Sequence, residues 1–541
     1  MVITVPEHQH QVELDLTRYE VSLSRTFDEH WDAVLRIPWL IKDQTATVSF
    51  PNPMTVAERE AALRNNFIHH RTDTYEGFGD AELSVGWRRK NLLGAGSITR
   101  FSFGLTLPFG DTAVFQQNMP IPVWGWSLPQ AKVEVSFGNQ KKSAVAGDDG
   151  AWKVILDPLP ADKLASVNEA PEGRSLTIVT SHGGTEATKT FSNILIGEVW
   201  LCSGQSNMCG PFGRAAYPPG SGAQANFPAL RVLNQNWTVC TPATVGGFTR
   251  VGFTFAREIQ REIKVPVGIL FAAVGGTQIE SWIAKTPGPN TPVLKYECYL
   301  QHILPLTGYA MRGAIWYQGE GNQKDGRNYF PKMKQLIEGW RKTWGQGDFP
   351  FYFVQIASIG ESPPDQPAGG DGRAEIRNAQ FEALSIKNTG MVVTIDIGDK
   401  KEHPINKYDV GLRLARWALN RDYGHKNLVP GGPLYKSCKI EGNTIRVSFD
   451  HAQNALMLAK KEGYEPPVPT PGASMPWLSI QAKDGTWHLA DGKIDGCDLL
   501  VSSKEVGDPI AVRYAYTQYP LGCNLYNKDG LPASPFTTCG Y

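Results

Sequence analysis

The stretch WLCSGQSNMCG, residues 200–210, places Ser206 directly after a run of apolar residues. The Gly-x-Ser tripeptide carries little weight, because it occurs four more times in the chain. The position of Ser206 is more informative, since ligands of parallel sheets bind just beyond the carboxyl ends of the strands. Met208 stands where the nucleophile elbow G-x-S-x-G requires its second glycine, which argues against an α/β-hydrolase. A serine in this position can attack an acyl carbon if a base accepts its proton and donors stabilise the oxyanion.

Three further strand ends supply the residue types that this reaction needs. The segment GILFAAV precedes Gly275-Gly276, where a backbone N–H can approach a ligand closely. GAIWYQ precedes the carboxylate of Glu320 and the amide of Asn322, and MVVTIDIG precedes a loop that contains His403. Each residue alone also fits an ordinary role, as a turn glycine, a capping asparagine, a surface histidine or a serine at a strand exit. Their convergence on successive strand ends predicts a site for ester hydrolysis.

Strands and helices alternate between residues 197 and 425. Nearly continuous apolar runs such as ILIGEVWLC alternate with segments of helical periodicity such as YFPKMKQLIEGWRKTW. Strands that are apolar on both faces are typical of a parallel sheet with helices on either side. We therefore predict an α/β fold here, in which an α/β/α sandwich surrounds a parallel central sheet.

Segments that indicate β structure flank this region. Residues 1–109 contain alternating apolar and polar positions, and residues 110–196 contain short strands broken by turns, as in a small β-sandwich. Residues 426–541 return to the same short alternating pattern. The sequence thus predicts four domains: an N-terminal β-rich extension, a β-sandwich domain, the α/β/α domain and a C-terminal β domain.

Composition and charge narrow the classes of function. Lys plus Arg and Asp plus Glu number 53 each, so the net charge of zero provides no field that favours nucleic acid. No stretch reaches the roughly 18 consecutive apolar residues that a membrane-spanning helix needs. The eight cysteines include no Cys-x-x-Cys pair, and we predict neither a metal nor another cofactor. The first residues lack a basic and apolar leader, which predicts a cytoplasmic location if Met1 is the native start.

Four motifs make the chain resemble the sialate O-acetylesterase family of SGNH (GDSL-type) hydrolases. They are GEVWLCSGQSNM, GGTQIESW, RGAIWYQGEGN and HPINKYDVGLRLA. The resemblance extends from about Phe115 to the C-terminus and leaves out residues 1–109, which look foreign to the family. It implies an SGNH-type α/β/α sandwich flanked by β-sandwich domains, and a secreted or periplasmic location.

The resemblance also implies roles for individual residues. Ser206 in the GQSN motif would be the nucleophile, and its backbone N–H would join Gly276 and Asn322 in an oxyanion hole. His403 in the HP motif would be the general base. Members of the superfamily usually carry an orienting aspartate three residues before this histidine, and here Lys400 occupies that position.

The identity of the orienting acid therefore stays open at this stage. We select Asp399, one residue before the usual position, because a bulge in the loop would let it reach the imidazole. Glu402 and Asp396 are the alternatives. A Ser-His dyad assisted by Glu320 or by a backbone carbonyl is a further one.

Neighbouring motif residues are predicted to contact the substrate. These residues are Gln205, Gln318 and Glu320. Trp282 and Trp316 flank the site in sequence, where they would either stack on a sugar ring or belong to the core.

The resemblance implies a serine esterase that removes O-acetyl groups from a carbohydrate through an acetyl-serine intermediate. The substrate would be O-acetylated sialic acid or an acetylated polysaccharide such as xylan. A non-catalytic carbohydrate-binding protein on an esterase scaffold is the competing hypothesis, and Lys400 is the residue that favours it. A thioesterase or lipase would need an apolar lid segment, and none is visible in the sequence.

Overall fold

The computed structural model describes five strands between residues 9 and 104, followed by residues 109–210, 224–284, 298–360, 366–370 and 372–539. The chain forms two compact units, Met1–Thr106 and Leu107–Tyr541. The division of the second unit into three domains stays a prediction. Within the described part of the chain, no helix is both long and apolar enough to cross a membrane.

The first unit contains five strands that pair antiparallel. The first two strands pair from Gln9 opposite Ser49 to Thr26 opposite Asp32. The second strand also pairs with the third and fourth strands, and the fourth with the fifth. The strands are β1 (Gln9–Thr26), β2 (Trp31–Ser49), β3 (Asp73–Phe78), β4 (Glu82–Lys90) and β5 (Ile98–Gly104).

The second unit begins with seven strands. They are β6 (Val114–Gln116), β7 (Ile121–Trp126), β8 (Lys132–Phe137), β9 (Gln140–Val145), β10 (Ala151–Leu156), β11 (Arg174–His182) and β12 (Thr185–Gly204). The first half of β12 pairs antiparallel with β11, and its second half pairs parallel with strands of the central sheet. The predicted boundary at residues 196 and 197 therefore falls inside one continuous strand.

The described residues of the central region form six more strands and five α-helices. The strands are β13 (Phe227–Asn234), β14 (Asn236–Cys240), β15 (Val267–Ala273), β16 (Gly313–Tyr317), β17 (Phe351–Val354) and β18 (Thr389–Val392). The helices are α1 (Ser206–Cys209), α2 (Arg250–Ile263), α3 (Tyr329–Trp344), α4 (Gly372–Glu382) and α5 (Lys407–Arg421). Short helical turns span Val245–Gly247, Ile279–Ser281, Tyr299–Ile303, Leu304–Leu306, Glu320–Asn322, Gly326–Asn328, Ala383–Ser385 and Ile395–Ile397.

The central sheet has the strand order β14-β13-β15-β12-β16-β17-β18. All neighbours pair parallel except β14, which pairs antiparallel with β13 at the edge. The predicted parallel central sheet is confirmed, with one antiparallel edge strand added. The strands that follow β12 in the chain, β13 and β15, lie on one side of it in the sheet. The next strand, β16, lies on the other side. The carboxyl end of β12 therefore lies where the strand order reverses, which is the usual ligand position in such sheets.

Helices cover both faces of this sheet. Val199 and Leu201 of β12 belong to the same buried cluster as Trp340 of α3, whereas Trp200 and Cys202 belong to a cluster with residues of α2 and α5. Successive residues of a strand point to opposite faces, so a run of apolar residues is needed when both faces are covered. The predicted α/β fold with flanking β-sheets is confirmed.

The C-terminal part of the second unit is built from short antiparallel strands. They are β19 (Leu434–Glu441), β20 (Thr444–Asp450), β21 (Leu456–Lys460), β22 (Val468–Pro469), β23 (Leu478–Ala482), β24 (Trp487–Leu489), β25 (Asp491–Asp495), β26 (Asp498–Ser502), β27 (Pro509–Tyr514), β28 (Leu525–Asn527) and β29 (Phe536–Thr537). The guanidinium of Arg377 in α4 donates to the carbonyls of Thr517 and Gln518, which attaches these strands to the central region.

Candidate active site

The strand exit before Ser206 depends on Gly204. Its φ is +143°, and a Cβ atom at this position would lie 2.1 Å from the carbonyl oxygen of Tyr317 in β16. The N–H of Gln205 then donates to that same carbonyl over 3.0 Å. Only glycine permits this approach of two backbones, and it lets the chain turn sharply into α1. Ser206 is half-buried as the first residue of that helix.

The end of β15 brings Gly275 and Gly276 next to the nucleophile turn. A Cβ atom on Gly275 would lie 3.6 Å from the Cβ of Ser206. Gly276 has a φ of +74°, and no atom lies within 4 Å of the position that its Cβ would occupy. The predicted glycine pair thus lies beside Ser206, with open space at its second residue.

The loop after β16 is tied to the same turn by two side chains. The Oε1 atom of Gln205 accepts a hydrogen bond from the N–H of Gly321 over 3.0 Å. The Nδ2 atom of Asn207 donates to Oε1 of Glu320 over 2.5 Å. The residues on either side of Ser206 therefore hold the β16 loop in place.

The loop that carries His403 is attached to the nucleophile turn through both of the residues that flank it. Asn207 Nδ2 donates to the carbonyl of Glu402 over 3.3 Å. Lys407 Nζ donates to the carbonyl of Pro404 over 2.7 Å and to Oδ1 of Asn207 over 2.7 Å. His403 itself is exposed, and no hydrogen bond among the described residues joins its imidazole to the Ser206 hydroxyl. The two segments are neighbours at one edge of the sheet, and the reaction between the two side chains stays a prediction.

The carboxylates considered as the orienting acid differ in their surroundings. Asp396 forms a salt bridge with Arg413, with two oxygen–nitrogen distances of 2.7 Å, and its Oδ2 atom also accepts from the Tyr526 hydroxyl. Because its oxygens already accept from Arg413 and Tyr526, this arrangement favours a structural role for Asp396, and the alternative that it orients the histidine stays a prediction. Asp399 is half-buried, and its N–H donates to the carbonyl of Ser358. Its role as the acid stays a prediction.

The side chain of Asn322 is engaged with other residues of the protein, and this arrangement does not favour its predicted place in the oxyanion hole. Its Nδ2 atom donates to Glu280 over 2.9 Å and to Asp325 over 2.8 Å. Its Oδ1 atom accepts from the N–H of Ile279 and from Gln318 Nε2. An amide has two donor hydrogens, so this arrangement leaves none for a substrate oxygen.

Gln318 is also a structural residue rather than a substrate contact. Its side chain is fully buried, with Nε2 donating to Asn322 and to the carbonyl of Thr277. Its Oε1 atom accepts from the Tyr329 hydroxyl over 2.7 Å. The prediction that Gln318 touches the substrate is therefore wrong, because no atom of it reaches the surface.

The other two predicted contacts, Gln205 and Glu320, are nearly as buried, at 3% and 4% exposed. Both face neighbouring loops, and neither Glu320 nor Gln205 presents a surface on which a sugar could lie. Their contact with the substrate stays a prediction that this arrangement does not favour.

Trp282 and Trp316 belong to the core. Both are fully buried and pack edge to face against each other, with ring centres 5.8 Å apart. The indole N–H of Trp282 donates to the Thr277 hydroxyl. Of the two roles that the sequence left open, the structure supports packing and not stacking on a sugar.

Two buried charged groups lie next to the nucleophile turn. Burial raises the pKa of the Glu320 carboxyl above its usual value. Burial also lowers the pKa of the Lys407 amine to about 7, while the carboxylates of Glu320 and Asp399 act in the opposite direction. Among the described residues, no cluster of His, Cys, Asp and Glu side chains could hold a metal ion.

Sequence reasoning assigned no role to Asn207 and Lys407. Both lie inside quoted motifs, Asn207 directly after Ser206 and Lys407 four residues after His403. No signal in the local sequence distinguishes them, because a lysine at the start of a helix and an asparagine in a turn are ordinarily exposed residues.

Known proteins show similarity to the same part of the chain. Residues 196–419 match the family described as carbohydrate esterase, sialic acid-specific acetylesterase. A carbohydrate acetylesterase from Xanthomonas citri, known from its crystal structure, is 34% identical; the match covers 81% of this chain and 99% of that one, with a TM-score of 0.70. Sialate O-acetylesterase from Homo sapiens is 26% identical over 481 residues, which are 76% of this chain and 88% of the relative. The Mus musculus protein of that name is 27% identical over 510 residues, covering 76% and 90%.

The match to the Xanthomonas citri enzyme spans nearly all of that protein, and the family match contains the Ser206 turn, the β16 loop and the His403 loop. The chain therefore belongs to the carbohydrate esterase family of sialic acid-specific acetylesterases and is a carboxylic ester hydrolase.

Proposed function

We propose that the protein removes O-acetyl groups from a carbohydrate by serine catalysis, with Ser206 as the nucleophile and His403 as the general base. The observation that carries this proposal is the attachment of the His403 loop to the Ser206 turn: Asn207 donates to the carbonyl of Glu402, and Lys407 donates both to the carbonyl of Pro404 and to Asn207. His403 lies between these two carbonyls in the chain, so its backbone is held next to that turn. A nucleophile and a base at one edge of the sheet are the minimum that acyl transfer requires.

The reaction proceeds in two steps. His403 accepts the Ser206 proton while the hydroxyl oxygen attacks the acetyl carbon, and it then donates that proton to the departing sugar hydroxyl. This leaves acetate as an ester on Ser206. A water molecule, deprotonated by His403, attacks this ester and releases acetate and the free serine.

Backbone groups are the proposed donors to the oxyanion. The N–H of Ser206 lies in the first turn of α1, where amide groups have no acceptor within the helix. Gly276 directly follows Gly275, whose Cβ position lies 3.6 Å from the Ser206 Cβ, and it borders open space. We assign the N–H groups of Ser206 and Gly276 to the oxyanion hole and leave out Asn322, whose amide hydrogens bind carboxylates. Asp399 is the proposed orienting acid.

The proposed substrate is O-acetylated sialic acid or an acetylated polysaccharide. Support comes from the relatives, which are named sialate O-acetylesterase in mammals and carbohydrate acetylesterase in Xanthomonas citri. Acetate release from O-acetylated sialic acid and from acetylated xylan, measured side by side, distinguishes the two substrates.

The mechanism is tested by acetate release from 4-nitrophenyl acetate. We expect Ser206→Ala to lower kcat/KM by at least about 10³-fold, as loss of a serine nucleophile does elsewhere, and to abolish an acetyl adduct on the Ser206 peptide in rapid-quench mass spectrometry. Ser203→Ala is the matched control, because Ser203 is fully buried in β12 and its hydroxyl has no partner among the described residues. Equal turnover by the Ser206→Ala and wild-type proteins would remove Ser206 from the mechanism.

A further inference from the structure

Three buried side chains connect the nucleophile turn to the His403 loop in one continuous chain of hydrogen bonds. Glu320 Oε1 accepts from Asn207 Nδ2 over 2.5 Å, and Asn207 Oδ1 accepts from Lys407 Nζ over 2.7 Å. All three side chains are at least 96% buried. They come from three separate parts of the sheet edge: the loop after β16, the turn after β12 and the first residue of α5.

Two of these side chains, those of Asn207 and Lys407, hold the backbone on both sides of His403. Asn207 donates to the carbonyl before the histidine, that of Glu402, and Lys407 donates to the carbonyl after it, that of Pro404. The imidazole is exposed, so its own packing contributes little to its position. The anchoring of its two neighbouring carbonyls fixes the backbone from which the side chain extends.

We propose that Glu320, Asn207 and Lys407 form a positioning cluster that fixes the backbone on both sides of His403 relative to Ser206. They are positioning residues, since they act through the histidine loop and not on the substrate. This inference rests on the proposed function, because it assumes that His403 serves Ser206.

Glu320 and Lys407 determine which way the amide of Asn207 points. An ionised carboxylate only accepts hydrogen bonds and an ammonium group only donates them. With Glu320 on one side and Lys407 on the other, Nδ2 must face the carboxylate and Oδ1 the amine. If the amide were reversed, its Nδ2 would face the donor Nζ of Lys407 and its Oδ1 would face the acceptor oxygen of Glu320. The carbonyl of Glu402 would also lose its hydrogen bond.

The cluster keeps its hydrogen bonds across the titration of its own members. A neutral amine retains two N–H donors, and Lys407 uses two acceptors. A protonated carboxyl group retains an acceptor oxygen for Asn207. The charged groups that act on the cluster from neighbouring elements are Arg250, Arg373 and Asp399. The geometry around His403 therefore depends on the donors and acceptors being present rather than on their net charge.

The test compares variants that remove a hydrogen-bonding group with variants that keep it. Lys407→Met has nearly the same length without a donor, and Glu320→Leu removes the acceptor that Glu320→Gln retains. Arg341→Met is the matched control, because Arg341 is a buried cation in α3 that also donates to two backbone carbonyls, those of Phe349 and Asn388, away from this site.

The measurements are kcat and KM for 4-nitrophenyl acetate and the rate at which a phosphonate ester labels Ser206. We expect Lys407→Met and Glu320→Leu to lower kcat and the labelling rate by about 100-fold, since a misplacement of about 1 Å can cost that much. KM should change little, because the cluster does not contact substrate. Glu320→Gln should restore most of the rate. Arg341→Met, with a comparable loss of thermal stability, should keep kcat.

The outcomes separate this inference from the proposed function. If Ser206→Ala is inactive while Lys407→Met and Glu320→Leu keep kcat, the serine mechanism stands and the positioning cluster is refuted. The inference is also refuted if the variants raise KM alone, or if Glu320→Gln is as slow as Glu320→Leu. If Lys407→Met does not fold, the comparison of Glu320→Leu with Glu320→Gln decides whether the cluster positions His403. An active Ser206→Ala protein would instead refute the proposed function.

Discussion

Replacing each of two aspartates in the segment before His403 by asparagine distinguishes structural support from catalysis. Asp396 pairs with Arg413 through two bonds of 2.7 Å, with side chains that are 1% and 8% exposed. Asp396→Asn turns an amide toward the guanidinium and leaves the arginine charge buried without a counter-ion. Removing one partner of a buried ion pair costs about 3–5 kcal/mol. We therefore expect Asp396→Asn to lower the free energy of unfolding by about this amount.

Asp399→Asn should lower activity without lowering stability. Asp399 is half-buried and makes no ion pair of this kind among the described residues, so the stability of the protein should change little. If Asp399 orients His403, its replacement removes the group that holds the imidazole in the reactive tautomer. The corresponding change in a serine protease triad lowers kcat by about 10⁴-fold.

Guanidinium denaturation and the pH dependence of kcat/KM for 4-nitrophenyl acetate measure the two effects. At a temperature where both variants are folded, Asp396→Asn should retain most of its kcat and Asp399→Asn should lose it. Our reasoning fails if Asp396→Asn unfolds at the wild-type denaturant concentration and is inactive, because Asp396 would then act on the histidine. If both variants keep kcat, neither aspartate orients the histidine, and Glu402 or a Ser-His dyad remains.

Three further predictions concern the same sheet edge. Gly276→Ala and Gly345→Ala each place a side chain at positive φ in open space, so both should cost about 1–2 kcal/mol of stability. Only Gly276→Ala should lower kcat/KM. Equal activities of the two variants would exclude Gly276 from the oxyanion hole. Gly204→Ala would place its Cβ against the carbonyl of Tyr317, and we expect loss of both soluble expression and activity, so a folded, active variant would contradict the proposed strand exit. The pKa of Lys407 is about 7 in the folded protein and ordinary, near 10.5, in the unfolded chain. The unfolded state therefore binds more protons between these pH values, and the contribution of Lys407 to the free energy of unfolding should rise with pH across this window. Denaturation at pH 7 and at pH 9 should show a smaller rise of the free energy of unfolding for Lys407→Met than for the wild type. An equal rise in both proteins would contradict the lowered pKa.

The architecture of the central region was predictable because burial on two faces leaves a simple pattern. Residues 199–202 are Val, Trp, Leu and Cys, and alternate members of this run enter different buried clusters. A parallel sheet covered on both faces requires such strands, and the alternation with helical segments favours it over other folds. The boundary near residue 196 was drawn where this pattern begins. The pattern changes there because β12 passes from a solvent-facing pair into the covered sheet, and the chain itself continues as one strand.

Strand ends predicted which segments lie together at one edge of the sheet, but not which polar side chains face that edge. Ser206, Gly276 and the His403 loop do meet at one edge. Asn322 and Gln318 follow β16 in the same way, yet their amides bind neighbouring loops. A side-chain amide that binds a ligand and a side-chain amide that holds a loop in place cannot be distinguished in the sequence. The difference lies in contacts with residues such as Glu280, more than forty positions away.

The buried charges around Asn207 explain why this part of the site escapes sequence analysis. Burying one carboxyl or one amine alone costs several kcal/mol, so Glu320 and Lys407 are tolerable only when both reach the same asparagine. Their partners lie 113 and 200 residues away from them along the chain, and no local pattern records such a dependence. The same cost makes the arrangement specific: a shift of the His403 loop would separate Lys407 from its acceptors and leave a polar group buried without partners. A loop anchored by apolar contacts could shift with little loss of free energy, whereas the His403 loop has a single favourable position. A general base needs such a fixed position to accept a proton from a fixed hydroxyl.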